Sequence, residues 1–532
     1  MNKNLNSLLL LVITSVLFFS CVLESDDMEQ AVKTVTAETG ITGESEQTMR
    51  ISPDGSGVTF LCPNRTSGAT YQWYKSTDGS STSLTAIEGA TSQAYKTPSL
   101  QKGIWYFYCI KTNSDGSTES TKFSVAYTGL PTISITTNAP ITSRTEWQEN
   151  ATLSIMSADT PSWNELGIKM SIKGRGNSSW GQVKKSYSLK FDEKIQLFDF
   201  PKAKKWNLIA NYSDKSLLRN KFASVLGNEI FDSEWNPSAI NVDVVINGTY
   251  LGNYTFFEKI TITDGRIDIQ DISNFTSENI ASGNFTDKNN DGSIDLYDGG
   301  FILEIDTRKD GEFYFTSSKG VSFVLKDPDI VSYNIQNHVQ ALVQKAEDAL
   351  YCETFTDSTE GYQKYLDTDS FVDWYLVNEF AKNNDAIFFT SVYMFYNPND
   401  QKLHMGPNWD FDIGFGNINY NNCDLTTGFW IKNANWISRL FQDEYFVQKV
   451  KNKWSEKKSE LISHVHYDIN SLMAQNQISA DYNFMRWQIL GTYVWPNAAG
   501  YESRTSYKSE IDYLIDWCDK RYQWLDTAIN AL

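Results

Sequence analysis

The sequence predicts a multidomain chain: an all-β sandwich followed by a larger α+β domain. Three observations predict it. Between residues 41 and 128, short apolar runs alternate with Asp-Gly, Ser-Gly and Gly-Ser turns, the pattern of many short strands. From 133 to 330 strand-like alternation continues, and from about 331 to 382 it gives way to helical spacing, as at Phe371, Trp374, Tyr375, Val377 and Asn378. The chain's 532 residues also exceed what one ordinary core encloses.

Residues 1–21 read as a targeting segment. Lys3 is its charged start, Leu8 to Phe19 its apolar run, and Ser20-Cys21 its cleavage site. The apolar run is too short to span a bilayer as a mature helix. A small residue before cysteine resembles a bacterial lipoprotein lipobox, with Phe18 where Leu is usual. That resemblance implies lipidation at Cys21, a membrane partner through the lipid anchor, and export to the outer membrane or cell surface. The acidic Glu24-Ser25-Asp26-Asp27 behind it resembles a surface-export signal of Gram-negative lipoproteins, and residues 22–40 are expected to be a polar tether.

Residues 41–128 hold Cys62, Trp73 and Cys109 in the order of an immunoglobulin-like (Ig-like) domain, where a disulfide joins two sheets and Trp packs on it. A Cys62–Cys109 bond is therefore expected, with Trp105–Cys109 as the late strand. Such a domain serves adhesion or glycan binding, or acts as a spacer. Cys352, Cys423 and Cys518 lack metal-ligand spacing.

Gly129-Leu130-Pro131 marks a boundary, and the second domain is expected over 129–532. The net charge of −19 argues against nucleic acid as partner. Residues 173–221 invert that balance with a basic island, the signature of an anion site. Within it, Lys173-Gly174-Arg175-Gly176-Asn177-Ser178-Ser179-Trp180 is a loop whose backbone N–H groups and Arg175 fork suit an anion. Lys190 lies on an alternating strand, placed to reach phosphates or to stand on the surface. Ser213 or Asp214 is expected to cap a helix from Lys215 to about Ile230, with Arg219 and Glu229 facing a site or solvent. Asn247-Gly248 between apolar runs predicts a hairpin that closes at Glu258.

The densest chemistry lies further on. Asn383-Asn384-Asp385 is followed by a predicted hairpin (Ser391 to Tyr396, turn at Asn397 to Asp400, Lys402 to Met405) and then by Asn408-Trp409-Asp410-Phe411-Asp412. Asp410 and Asp412, at i and i+2, would point the same way on an extended segment. Phosphoryl transfer needs cations to neutralise spreading charge and a carboxylate to orient the attacking hydroxyl. Hard Mg²⁺ or Mn²⁺ takes its oxygen ligands from one or two carboxylates plus phosphates.

Arg175–Trp180, Trp206–Asn220, Val244–Ile260, Gly300–Asp306 and Trp409–Asp412 together resemble the CotH family of atypical kinases, over roughly residues 130 to 532. The resemblance implies an α+β, much-altered protein-kinase-like fold that binds ATP with Mg²⁺ or Mn²⁺ and phosphorylates Ser or Thr of a protein substrate. By position it implies Asp385 as catalytic acid, Asp410 and Asp412 as metal ligands, Asn384 and Asn408 in support, and Arg175, Lys190, Arg219 and Glu258 near the nucleotide. Gly-x-Gly-x-x-Gly and His-Arg-Asp are missing, so a standard protein kinase is excluded. The alternative is a catalytically inactive domain acting as an adhesin or binding a surface glycan.

A further motif sits in an insertion at 270–300. Asp287, Asn289, Asp291, Ser293, Asp295 and Asp298 are spaced as in an EF-hand or dockerin loop, with Gly292 at the sharp turn. A structural Ca²⁺ is expected there. His338, His404, His464 and His466 have no sequence neighbours at metal spacing.

Overall fold

The structure, a computed structural model, describes residues 48–231, 233–275, 298–329 and 331–532. The expectations for Cys21, the 22–40 tether and Asp287 to Asp295 lie outside these residues; of the calcium loop only Asp298 is described, and it is buried. The chain forms two compact units. One runs to Ser171 and includes Asp243–Leu251; the other takes Ile172–Val242 and Gly252–Leu532.

The first unit is β-rich. Its larger sheet has the order Met49–Ile51, Thr118–Tyr127, Gly103–Thr112, Thr70–Ser76, Leu84–Ala86, and a separate pair joins Thr59–Leu61 to Ala94–Lys96. Trp73 is fully buried opposite Cys109 in register and packs with Phe60 and Phe123. Cys62 and Cys109 meet in this core, but as free thiols that share a side-chain hydrogen bond rather than a disulfide. That hydrogen bond holds the Cys62 thiol below its ordinary range, while the same contact and burial push Cys109 up.

A closed seven-stranded barrel has the order Glu165–Arg175, Ser186–Ile195, Ala203–Ile209, Thr249–Glu258, Ala239–Ile246, Thr132–Thr136, Gln148–Met156. Strand patterning foretold its strands but not their closure. The Asn247-Gly248 turn joins two of them with φ of 50° and 78°, the left-handed pair that a tight hairpin requires.

The second unit adds a five-stranded antiparallel sheet in the order Tyr314–Thr316, Ser322–Asp327, Phe301–Ile305, Val392–Asn397, Lys402–Met405. The expected 391–405 hairpin is its last two strands, with Asn397 opposite Lys402. The helices Tyr333–Tyr351 and Thr368–Ala381 fill the 331–382 region, and Ser332 and Asp367 cap their N-termini. Thr368–Ala381 is buried on nearly every side, so its sequence shows little amphipathic contrast. A 43-residue helix, Glu444–Arg486, and the closing helix Tyr507–Asn530, begun by a Ser506/Ser509 capping box, complete the unit. No helix among the described residues is long and apolar enough to cross a membrane.

The helix expected from Lys215 instead begins at Arg219 and ends in a π turn over Leu226–Ile230. Asp214 is the cause. Its carboxylate accepts from the backbone N–H of Ser216 (3.0 Å) and Arg219 (2.9 Å), so the chain turns through Leu217 at φ 57° before the helix starts.

Candidate active site

Asp385 is delivered by the end of a helix. Thr368–Ala381 stops because Lys382 adopts φ 46°, and the short turn Asn384–Ala386 follows. Asn384 Nδ2 donates to Asp385 Oδ1 at 2.8 Å. Burial, and after it the charge of Asp410, push the Asp385 carboxyl up to about 6. Asp385 and Asp410 thus feel each other's charge.

Asp410 is exposed and has φ 66°, so the extended geometry expected for Asp410 and Asp412 does not hold. Phe411 between them is fully buried and donates its N–H to Asn220 Oδ1 at 2.8 Å, which pins the backbone. Asp410 receives the Ser391 hydroxyl at 2.9 Å and, on its carbonyl, Asn383 Nδ2 at 3.3 Å. Burial first, then Asp410, Asp214 and Asp385, hold the Asp412 carboxyl well above the usual range. Asn408 acts on the backbone: its N–H goes to Asn236 Oδ1 at 2.7 Å and its side chain accepts from Asn378 at 2.8 Å.

Arg175, at the end of its strand, faces this group. Its guanidinium lies 5.4 Å from the centre of the Trp409 ring, and both line a small cavity with Asn220 and Asp410. Burial lowers its pKa, while Asp410, Asp412 and Glu304 counter that effect. Lys190 stands opposite Lys205 in register, and both charges act on Lys173. Burial, with Lys205 next, brings Lys259 down to about 8.

Two expected nucleotide contacts are turned away. Arg219 is fully buried, with Nη1 on Asp214 Oδ1 at 2.5 Å and on Ser216 Oγ at 3.1 Å. Glu258 is buried against Arg266 at 3.0 Å and accepts from Ser238 N. Arg219 Nη1 and the Glu258 carboxylate are thus paired inside the protein rather than aimed at a nucleotide. Glu304 and Lys326, paired at 2.9 Å, take a place that sequence reading missed. Glu304 also accepts from Ser391 N at 3.1 Å, and Asp306 accepts from Thr390 Oγ1 at 2.9 Å. The only sequence signal for Glu304 was its place inside Gly300–Asp306.

Asp385 and Asp412, both disfavoured as anions by burial and by Asp410, offer with Arg175 the oxygen ligands and the positive charge that a hard cation and a phosphate take. Asp410 and Asp412 are the carboxylates that would hold Mg²⁺ or Mn²⁺ here.

Residues 172–525 match the family described as CotH kinase protein. No curated protein matches the chain. Similar solved structures include the N-terminal four Ig domains of Dscam1 isoform 8.4, at 16% identity over 28% of this chain and 41% of that one, with a TM-score of 0.13. The N-terminal eight Ig domains of Down Syndrome Cell Adhesion Molecule isoform 1.30.30 align at 12% identity over 41% of this chain and 36% of that one, with a TM-score of 0.14. The chain thus spans less than half the length of either. A Bacteroides ovatus mixed-linkage glucan utilization locus protein, SGBP-B in complex with a mixed-linkage heptasaccharide, aligns at 9% identity over 55% and 90%, with a TM-score of 0.12.

Proposed function

The chain belongs to the CotH kinase protein family, and from that membership we propose that it moves the γ-phosphoryl group of ATP to a Ser or Thr hydroxyl of a protein. One observation carries the reading: the Arg175 guanidinium feels Asp410, Asp412 and Glu304 together, and Asp385 feels Asp410. Carboxylates that could share a divalent cation and an arginine that could meet phosphate thus act on one another, the combination that supports a phosphoryl-transfer reading.

Asp385 orients the acceptor hydroxyl and takes its proton, a role suited to a carboxyl held near 6. Asp410 and Asp412 would hold Mg²⁺ or Mn²⁺, which when bound neutralises charge on the phosphoryl oxygens. Arg175 and Lys190 attract the phosphates. Trp409, under Arg175, keeps that guanidinium in place. In the same proposal residues 1–21 export the chain, Cys21 carries a lipid anchor, the 41–128 region is an Ig-like stalk, and residues 287–298 bind a structural Ca²⁺.

The test is calorimetric titration of the purified chain with ATP in the presence of Mg²⁺ or Mn²⁺, together with phosphate transfer to a mixed protein substrate. Metal-dependent binding that disappears in Asp410→Ala supports the reading; a wild-type chain that binds no ATP with either metal refutes it. An inactive, glycan-binding domain is favoured by one feature, the exposed Trp495 stacked on Tyr420 at 6.1 Å and 14°. Flat aromatic faces of this kind accept sugar rings. Under that reading Asp410→Ala leaves glycan binding intact.

A further inference from the structure

His404 had no partner by sequence spacing, yet the fold surrounds it with carboxylates. It lies on the strand Lys402–Met405 and is almost wholly buried. Its ring stacks on Phe395 (5.0 Å between centres, 18° between planes), which fixes the imidazole plane. Nε2 sits 2.9 Å from Asp400 Oδ2. On the other side, Nδ1 lies 2.6 Å from Glu234 Oε1 and 3.9 Å from Asp367 Oδ1. Ligand atoms of Glu234, Asp367 and His404 all fall within 4.8 Å of one another.

A second observation concerns direction. The Glu234 oxygen crowds the buried Nδ1 at an angle poor for a hydrogen bond, while, against the lowering effect of burial, Asp400 and Glu234 together push the imidazole up to about 9. A divalent cation bound here would displace the proton that these carboxylates hold on the ring. Asp400 on the opposite nitrogen is the outer carboxylate that typically fixes the tautomer of a metal-binding histidine, leaving the inner nitrogen as ligand. Glu234 and Asp367 also line an open cleft of ≈260 Å³, which leaves room for water to complete the coordination.

We propose that Glu234, Asp367 and His404 form a second metal site, separate from the Asp410/Asp412 group, that takes a divalent transition cation, Zn²⁺ foremost. One imidazole with two carboxylates is a donor set that prefers Zn²⁺ to Mg²⁺. Such an ion would clip three segments together: the loop before Ala239–Ile246, the N-terminus of the helix Thr368–Ala381, and the strand that leads to Asp410. Its role is to hold the site's supports in register. Asp367 already ties two of these, through its N–H to the Leu403 carbonyl at 2.9 Å and its side-chain cap on Ser370 N at 2.8 Å.

The experiment strips the full chain with chelator, titrates it with ZnCl₂ by calorimetry, and counts bound zinc by elemental analysis. Wild type is expected to bind one more Zn²⁺ per chain than Glu234→Gln or His404→Gln, and to melt at a higher temperature once loaded. Glu234 is half exposed, so Glu234→Gln should fold, and Asp367→Asn keeps a helix-capping side chain. Asp385→Asn should retain the extra zinc, which separates this site from the catalytic one. Equal zinc content in wild type, Glu234→Gln and Asp367→Asn, or no zinc in wild type, overturns the proposal.

Discussion

Arg521 on the closing helix donates Nη2 to Glu379 Oε1 at 2.7 Å and to the Glu379 carbonyl at 2.8 Å, and both side chains are excluded from solvent. Glu379 lies in the last turn of its helix, just before the chain turns to Asp385. Its carboxylate also accepts the backbone N–H groups of Trp430 and Lys432, at 2.8 and 2.9 Å. The C-terminal helix therefore holds the support of the candidate catalytic acid by one buried charge pair. Removing one partner of such a pair leaves an uncompensated charge and costs about 3–5 kcal/mol. Arg521→Met should lower urea stability by that amount, and adding Glu379→Gln should restore part of it. Additive losses in the double variant would show that the two residues do not act as a pair.

Asp385 gives a pH signature. Burial and Asp410 disfavour its ionised form, raising the folded pKa from 3.8 to about 6. The sign follows: its contribution is fully present below the unfolded value and is lost as pH rises through about 6. Asp385→Asn should thus stabilise the metal-free chain at pH 7.5, by an amount on the order of 3 kcal/mol, with no gain below pH 4. Equal melting temperatures at pH 7.5 would show that the carboxyl is not strained. Phosphoryl transfer by wild type should rise across the same window, because only the ionised form accepts a proton.

Arg175 and Arg219 separate stability from binding. Arg219→Ala leaves buried Asp214 unpaired and should destabilise by about 3–5 kcal/mol. Arg175→Ala should weaken nucleotide binding at least tenfold, or about 1.4 kcal/mol, beyond any loss of stability. Thermal denaturation and nucleotide titration of the two variants check this. Nucleotide affinity unchanged in Arg175→Ala would remove that residue from the phosphate site.

In the first unit, Cys62 and Cys109 stand as hydrogen-bonded neighbours, placed to be joined under oxidising conditions. Mild oxidation should join them and stabilise the chain by about 4 kcal/mol. Peptide mapping with and without reductant measures the bond, and a Cys62→Ser variant should show no oxidant effect. If the oxidised and reduced wild types melt together, the pairing is wrong.

Turns and strands were legible because their signals are local. Asn247-Gly248 demanded positive φ, and the 391–405 hairpin followed from alternation bounded by a polar turn. The long helix Glu444–Arg486 escaped notice because much of its surface is polar and its buried positions are sparse. Thr368–Ala381 showed the opposite problem, being enclosed almost all round. Asp410 misled in a different way, since its left-handed backbone depends on Phe411 being anchored by Asn220, far away in sequence.

By itself the sequence determined which chemical groups exist and in what order: a β-rich N-terminal part, a basic stretch, and acidic segments on either side of a hairpin. Tertiary structure alone decided how each charge is used. It turned Arg219 and Glu258 inward to Asp214 and Arg266, left Arg175 facing the aspartates, and set His404 among Glu234, Asp367 and Asp400. The reason is physical: propensity acts over a few residues, whereas burial and ion pairing depend on which distant segments pack together.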